Sequence, residues 1–499
     1  MSRMGQSPLI SNRRLNAAGV MVLLLVAFGA CATKTATAPP SLKVGVGETV
    51  ITPSEPTRMR GFARAQISTG VHDDLHARSL VVEDTKGETA ALMTVALCGM
   101  SEDYLKAIRE GITAETGIKP ENIVVSCTHT HSGPNVGATP STFNKEEVEA
   151  SIASLAYRTF LVEQCVASAV KAWENRVPGR IGIASTKVLE LGRNRRRLLY
   201  GGLHPDPEVA VIRVEDARGQ LLGVAFNYGC HPSGIDWHNT LFTEDWPYYA
   251  IQAIKKQVGQ EVWVAFYQSA EGDIGVGYSA ELSAVGVDMP VRTYWYVEHK
   301  GNQMAGAVLA ALPGIATSAD ADVRVAAARF DYPLRTEYPV SVEEAEREVA
   351  DAKKRLAEFE KVPELSATRR ADEVRVELFQ AEQKLRTAKR YFSGAERPAT
   401  RSLEQIAVGI GDAMFVTFPG ELFSEIGLAI KEGSPLEKTY VIGVTCGPGG
   451  YLPSAKEFLE GDYEVNGSAY SPLTERFCVE SSLDLIKRVA VAQADKTAK

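Results

Sequence analysis

Ile123-Val124-Val125-Ser126-Cys127-Thr128-His129-Thr130-His131-Ser132-Gly133-Pro134-Asn135 is the stretch that organises the chain. An apolar, β-branched run passes straight into two histidines spaced i, i+2, and alternation along an extended backbone points both imidazoles to one face. Ser132, Gly133 and Pro134 end the strand, so the pair sits at its carboxyl end, where α/β sheets place their ligand sites. His129 and His131 are therefore metal candidates; the bland alternative is a pair of polar residues solvated at a strand end.

Outward from this stretch, strands are predicted over 43–51, 79–84, 89–97, 180–188, 208–215, 220–228 and 261–268. Helices over 102–116, 145–175, 248–257 and 299–312 alternate with them, the first opened by Ser101 as an N-cap followed by acids. Alternation of this kind predicts an α/β fold, with mixed β-sheets covered by helices rather than a bare sandwich. Residues 341–392 are set apart: highly charged, with Ala, Leu and Val at helical spacing and a break at Val362-Pro363. They read as a protruding helical hairpin insertion, either a solvated arm or a coiled-coil surface. A β-hairpin over 403–418 and a last helix over 475–492 follow, and no internal repeat is seen.

The chain has 499 residues, 45% hydrophobic and 23% charged, an ordinary globular composition with a net charge of -8. Residues 1–30 differ: Arg3, Arg13 and Arg14 without an acid, then an apolar run from Ala17 to Ala30, which reads as an export signal. No later segment reaches the ~18 uninterrupted apolar residues of a membrane span. Phe28-Gly29-Ala30-Cys31 is similar to a bacterial lipoprotein cleavage box, and 31–41 is a Thr/Ala/Pro tether. The expected product is exported, as a periplasmic or outer-membrane lipoprotein or a secreted protein, with any membrane association through a lipidated Cys31; a twin-arginine signal at Arg13-Arg14 is the alternative. Losing three arginines makes the remainder more acidic still, which argues against nucleic acid as a partner. Cys98, Cys127, Cys165, Cys230, Cys446 and Cys478 form no Cys-x-x-Cys pair, and their number leaves disulfides open.

Thr128-His129-Thr130-His131-Ser132-Gly133-Pro134 resembles the neutral, non-lysosomal ceramidase family. Further matches follow in the family's order: Arg60-Gly61-Phe62-Ala63, Phe226-Asn227-Tyr228-Gly229-Cys230-His231, Glu271-Gly272-Asp273, Phe418-Pro419-Gly420-Glu421, Gly450-Tyr451-Leu452-Pro453 and Gly461-Asp462-Tyr463-Glu464. The resemblance implies a catalytic domain over 42–495. It also implies a zinc ion held by His129, His231, Glu421 and Tyr451. His131 would act beside the metal or shuttle protons, Arg195 and Tyr463 would stabilise the oxyanion, and Asn194 and Arg60 would face substrate. Asp273 is expected to orient a histidine through its free N–H. Four arginines in 193–197 read by themselves as a solvated surface; only the resemblance turns Asn194 and Arg195 toward substrate. His72, His76, His204 and His238 read as surface or loop histidines.

Two departures stand out. Gly275 occupies the place of the family's serine, and the chain ends soon after Tyr451, without room for the family's C-terminal immunoglobulin-like domain. The resulting expectation is a zinc-dependent hydrolase that cleaves the amide of an N-acyl, ceramide-like lipid with metal-activated water. The alternatives are another amide or ester substrate on the same site, or a lipoprotein binding module with a vestigial metal site. A (β/α)8 hydrolase fits poorly, because its His-x-His follows the first strand.

Overall fold

Ile123–Cys127 is an edge strand of an eight-stranded sheet and pairs in parallel with Thr89–Val95. From that edge the order continues through His76–Glu83, Lys43–Val50, Val177–Lys187, Glu208–Asp216 and Leu221–Tyr228 to Trp263–Gln268. The outermost pair at each edge is parallel and the interior pairs are antiparallel. The sheet curls until its edges meet: Gln268 Nε2 donates to Thr128 O (3.1 Å) and Tyr267 Oη to Leu92 O (2.8 Å). A second sheet orders Val323–Pro333, Thr400–Ile410, Ala413–Thr417 and Lys438–Ile442, the last pair again parallel. The computed structural model describes residues 42–497 apart from 63–65, 138–152, 197–201, 278, 288–290, 395, 446 and 448. The expected signal and tether with Cys31, and also Ala63, Arg197 and Cys446, lie outside the described residues.

The two sheets face each other across one apolar layer, where Leu80, Ile183, Ile212 and Ala265 meet Val323, Ile406, Phe415 and Tyr440. Helices cover the other faces. Glu102–Thr116 and Leu155–Glu174 lie over one half of the large sheet, Trp246–Val258 and Tyr294–Ala311 over the other, and Ser424–Gly433 with the helix from Thr474 over the small sheet. All five residues of Ile123–Cys127 are buried because both faces of the strand are covered. The α/β expectation thus holds, with the addition that the sheets also pack on one another, which alternation of elements does not reveal. Gly47 sets the approach of one helix: a Cβ there would lie 2.1 Å from Ser168 O.

Helix Glu102–Thr116 matches its predicted bounds, but Ser101 makes no side-chain cap hydrogen bond; the firm stop is Gly117, left-handed at φ 74°. The helical hairpin forms from Val342–Glu360 and Arg369–Tyr391, closing on Ala345 and Ala388. Its outer face is solvated and carries exposed ion pairs such as Arg355 with Glu377. The second helix also reaches inward, where Phe379 stacks on Tyr463 with ring centres 5.8 Å apart and Gln383 Nε2 donates to Tyr463 O (3.0 Å). Cys98, Cys127, Cys165, Cys230 and Cys478 are buried free thiols. Among the described residues no helix is long and apolar enough to cross a membrane.

Asn227 ties the sheets together, its Nδ2 donating to Tyr267 O, Gln268 O and, across the interface, Val441 O (3.1, 3.1 and 2.9 Å). Asn227→Ala leaves these buried acceptors short of a donor and is expected to cost about 1–3 kcal/mol in urea unfolding. Beside this strand, His204 donates through Nε2 to Gly229 O (2.7 Å) while Nδ1 accepts from Asp206 N (3.1 Å), which fixes a neutral ring. Burial lowers its pKa from 6.5 to about 4. As pH falls from 6.5 to 4, the unfolded chain binds a proton that the native ring refuses, so stability declines by on the order of 3 kcal/mol over that window and is unaffected above it. His204→Gln should flatten that part of the stability-against-pH curve, measured by chemical denaturation.

Candidate metal centre and active site

Three parallel strand pairs deliver their carboxyl ends to one place, the position where such sheets put ligand sites. His129 follows Ile123–Cys127, His231 follows Leu221–Tyr228, and Glu271 and Asp273 follow Trp263–Gln268. Glu421 follows Ala413–Thr417 and Tyr451 follows Lys438–Ile442. Glu421 and Tyr451 are then set side by side by a short parallel ladder of their own. The expected strand does not carry the two histidines, however. It ends at Cys127, and His129 takes a left-handed backbone at φ 69°, held by its N–H to Leu97 O (2.9 Å). The His129 and His131 rings meet at 5.2 Å through this turn, not through strand alternation. Val444 (φ 49°) and Asp462 (φ 68°), which border the same region, are also left-handed. Such conformations cost about 1–3 kcal/mol each and concentrate at functional sites.

His129 Nε2 lies 3.4 Å and His231 Nε2 3.3 Å from Glu421 Oε2. Among the described residues neither His231 Nε2 nor Glu421 Oε2 has a hydrogen-bond partner, although both atoms are buried. Two nitrogens or oxygens bound tetrahedrally to zinc at their usual distances are about 3.4 Å apart. Both separations from Glu421 Oε2 therefore match ligands sharing one zinc ion, with all three donors within 4.8 Å of one another, and a cation would satisfy atoms that otherwise carry an uncompensated desolvation cost. Each ring is aimed by its other nitrogen. His129 Nδ1 contacts Cys98 O at 2.6 Å, and His231 Nδ1 contacts Glu271 O and Ile274 O at 3.0 and 2.9 Å. Burial, then the Arg195 charge, lowers His231 to about 3, and burial with the neighbouring rings puts His131 well below its usual value. His129 is driven the other way: burial opposes its charged form, but Cys98 and Glu421 outweigh it. The pocket thus calls for positive charge beside Glu421.

Tyr451 and Arg195 stand against these donors, with Arg195 Nη2 donating to Tyr451 Oη (2.9 Å) and Gly272 O (3.1 Å) and Nε to Glu464 Oε1 (3.0 Å). Tyr463 packs edge-on to Tyr451 at 5.8 Å, its hydroxyl pushed up to about 12 by burial and then by Glu421. The solvated-surface reading of 193–197 is corrected at two positions. Arg195 and Arg196 are 5% and 2% exposed, because Glu464 and Glu457 neutralise them. Asp273 does not orient a histidine. Its oxygens accept from Asn194 Nδ2 (2.9 Å), Ser424 N (2.7 Å) and Ser424 Oγ (2.9 Å), and its carbonyl accepts from Arg195 N (2.9 Å). Asp273 positions the Asn194-Arg195 segment, and Asn194, with its Oδ1 also accepting from Arg196 N (3.1 Å), is engaged inward. Arg60 donates to Gly99 O (3.3 Å), while Phe62 meets His131 edge-on at 4.9 Å.

Of the remaining histidines, His72 pairs with Asp73 and stacks on Tyr294, His76 pairs with Glu244, and His238 is half exposed. His204 departs from the surface reading and is buried, as described above. Two further site residues are given no role by the motifs. Glu271 has both carboxylate oxygens buried without a hydrogen-bond partner among the described residues, and burial raises it well above the ordinary range. The Cys98 thiol lies 3.9 Å from His129 Nδ1; the only sequence signal for it is its position in the loop after a strand adjoining the histidine strand.

Residues 42–279 match the family model of neutral/alkaline non-lysosomal ceramidase, N-terminal. A neutral ceramidase of Drosophila pseudoobscura pseudoobscura is 30% identical over 267 residues, 48% of this chain and 35% of that protein. A neutral ceramidase of Pseudomonas aeruginosa is 25% identical over 251 residues, 46% of this chain and 36% of that protein. The chain therefore matches little more than a third of the length of these relatives. The crystal structure of neutral ceramidase from Pseudomonas aeruginosa superposes with a TM-score of 0.66 at 19% identity, covering 91% of this chain and 75% of the other. A ceramidase complexed with C2 gives 0.65 at 17% identity, covering 91% and 76%. These superpositions establish the shared fold. Over residues 42–279, just under half of its length, the chain is similar to the N-terminal region of the neutral/alkaline non-lysosomal ceramidases.

Proposed function

We propose that the protein is a zinc-dependent amide hydrolase acting on an N-acyl, ceramide-like lipid. The observation that carries the reading is the buried, unpartnered facing of His231 Nε2 and Glu421 Oε2, completed by His129 and bordered by Tyr451 and Arg195. His129, His231, Glu421 and Tyr451 would hold the zinc, which supplies Lewis acidity and lowers the pKa of water.

The chain's own residues do the rest. His131, kept neutral by burial beside two other rings, accepts a proton from the attacking water at a ring nitrogen and passes it to the leaving amine. Arg195, braced by Glu464 and Gly272 O, and the Tyr463 hydroxyl bind the developing oxyanion. Arg60 and Asn194 border the substrate, and Asp273 fixes the segment that carries Arg195. With Gly275 in the serine's place, no acyl-enzyme is required.

His129→Ala and Glu421→Ala should lose zinc by metal analysis. His131→Ala should keep it while turnover on a panel of N-acyl lipids and N-acyl amino acids falls about 10²–10⁴-fold. Normal zinc in both ligand variants would overturn the ligand set. A product burst with a trapped acyl-enzyme would overturn the direct attack of water, and a zinc-loaded protein inert on every amide would favour a binding module.

The same reading takes 1–30 as an export signal, 31–41 as a tether from a lipidated Cys31, and 42–495 as the catalytic region with 341–392 inserted. Such an anchor would keep the site beside lipid substrate. Mass spectrometry of the amino terminus should find a diacylglyceryl-modified Cys31; an unmodified start elsewhere refutes it.

A further inference from the structure

Among the described residues, Arg60 is a half-buried cation beside the site with no carboxylate partner. One of its guanidinium N–H groups donates to Gly99 O at 3.3 Å, and the others are left to whatever enters the site. The other buried arginines around the centre are matched: Arg195 and Arg196 by Glu464 and Glu457, and Arg292 by Asp236 at 3.8 Å. In a chain with 62 acidic residues against 54 Lys and Arg, a missing acid at this position is informative. The strand Met59–Arg60 pairs antiparallel with Gly133–Pro134, directly after the two histidines. Met59 is buried, so alternation turns Arg58 and Arg60 to the opposite, half-buried face. Gly61, at φ 127°, seats this strand on His131: a Cβ there would lie 2.4 Å from His131 Cα. Gly99 O is the carbonyl next to Cys98 O, which contacts His129 Nδ1. The Arg60 side chain thus runs from the backbone of His131 to the loop that aims His129.

We propose that Arg60 binds a carboxylate on the amine half of the substrate, so that the amides cleaved are N-acyl amino acids; this rests on the hydrolase reading for the bond that is cut, but not for the anion that is held. In such an amide the carboxylate stands one carbon from the scissile nitrogen. A cation beside His131, the ring that hands the leaving nitrogen its proton, is therefore where that carboxylate falls. A planar carboxylate accepts two parallel N–H groups of the guanidinium fork, whereas a neutral headgroup in the same place leaves the charge partly desolvated and unpaired. Discrimination of this kind is strong because the wrong ligand leaves polar groups unmatched. On cleavage the oxygen of water joins the acyl carbon, the C–N bond breaks and the nitrogen takes up the proton. A fatty acid and a free amino acid leave. Arg58, two residues earlier on the same face and also without a carboxylate partner among the described residues, adds to the positive field at this edge of an acidic protein.

The test compares N-lauroylglycine with N-lauroylglycinamide, which differ in a carboxylate against a neutral amide of the same shape. The zinc-loaded full chain gives kcat/KM for each, and calorimetry on the zinc-loaded His131→Ala chain gives their affinities with turnover suppressed. The expected result is a preference of about tenfold or more for the carboxylate in both readings. Arg60→Gln should bring that ratio close to one, and Arg60→Lys, which keeps the charge but loses the fork, should fall between, with native circular dichroism and zinc content in both. Equal values for the two compounds in the chain with Arg60 intact overturn the proposal whether or not the variants fold, as does failure to bind either. A preference that survives in Arg60→Gln gives the anion to another group and overturns it too. A chain inert on both amides that still binds N-lauroylglycine preferentially through Arg60 refutes hydrolysis and upholds the anion site. Cleavage of both without preference upholds hydrolysis and refutes the anion site.

Discussion

A carboxylate enclosed between two imidazole nitrogens is the interaction on which the rest of the site depends. Glu421 Oε2 stands 3.4 and 3.3 Å from His129 Nε2 and His231 Nε2, buried and without a hydrogen-bond partner among the described residues. Taken alone, this is an expensive arrangement for a carboxylate, since burial without partners costs several kcal/mol. Charges of alternating sign surround it: Arg195 lies beside the Glu421 ladder, Glu464 holds Arg195, Arg196 touches Glu464, and Glu457 holds Arg196. Each buried charge is thereby matched by its neighbour. The centre keeps a local deficit of positive charge that a divalent cation fits.

The strand entering the site was legible because Ile123–Cys127 is apolar throughout, and the helices were legible from period and punctuation. What the sequence conceals is pairing across distance. Arg195 and Glu464 are separated by 269 positions, so four arginines within 193–197 look like a wet surface until the acid that neutralises them is known. Asp273 is misread for the same reason: its partner is the start of the helix Ser424–Gly433, which lies 151 positions downstream. His129 shows a different limit. The i, i+2 spacing brings the rings together, but by a left-handed turn at φ 69° that no periodicity encodes. Tyr451 is an unremarkable aromatic in sequence and gains its place from the two-residue ladder with Glu421; only likeness to a family singled it out beforehand.

The inserted hairpin shows that a strongly charged segment can have two roles at once. Its solvated face, rich in Glu, Lys and Arg, gives the composition that suggests an arm. Its alanine-lined seam closes the pair, and Phe379, Gln380 and Gln383 brace the stretch around Asp462 and Tyr463. The wall carrying the Tyr463 hydroxyl is therefore supported from outside the two sheets.

The Glu421–Tyr451 ladder and the His129 turn follow strands of opposite sheets, joined through the single apolar layer between them. Donors so far apart in the chain meet only after both sheets have formed and docked, a topology dominated by long-range contacts and hence slow to assemble. No fragment or half-folded intermediate can hold the ion with the full set. A tightly held ion binds the finished fold and not its precursors, so it draws the folding equilibrium toward completion by mass action. On the proposed reading, metal supply during maturation would govern how much of the chain survives proteolysis as well as how much of it is active.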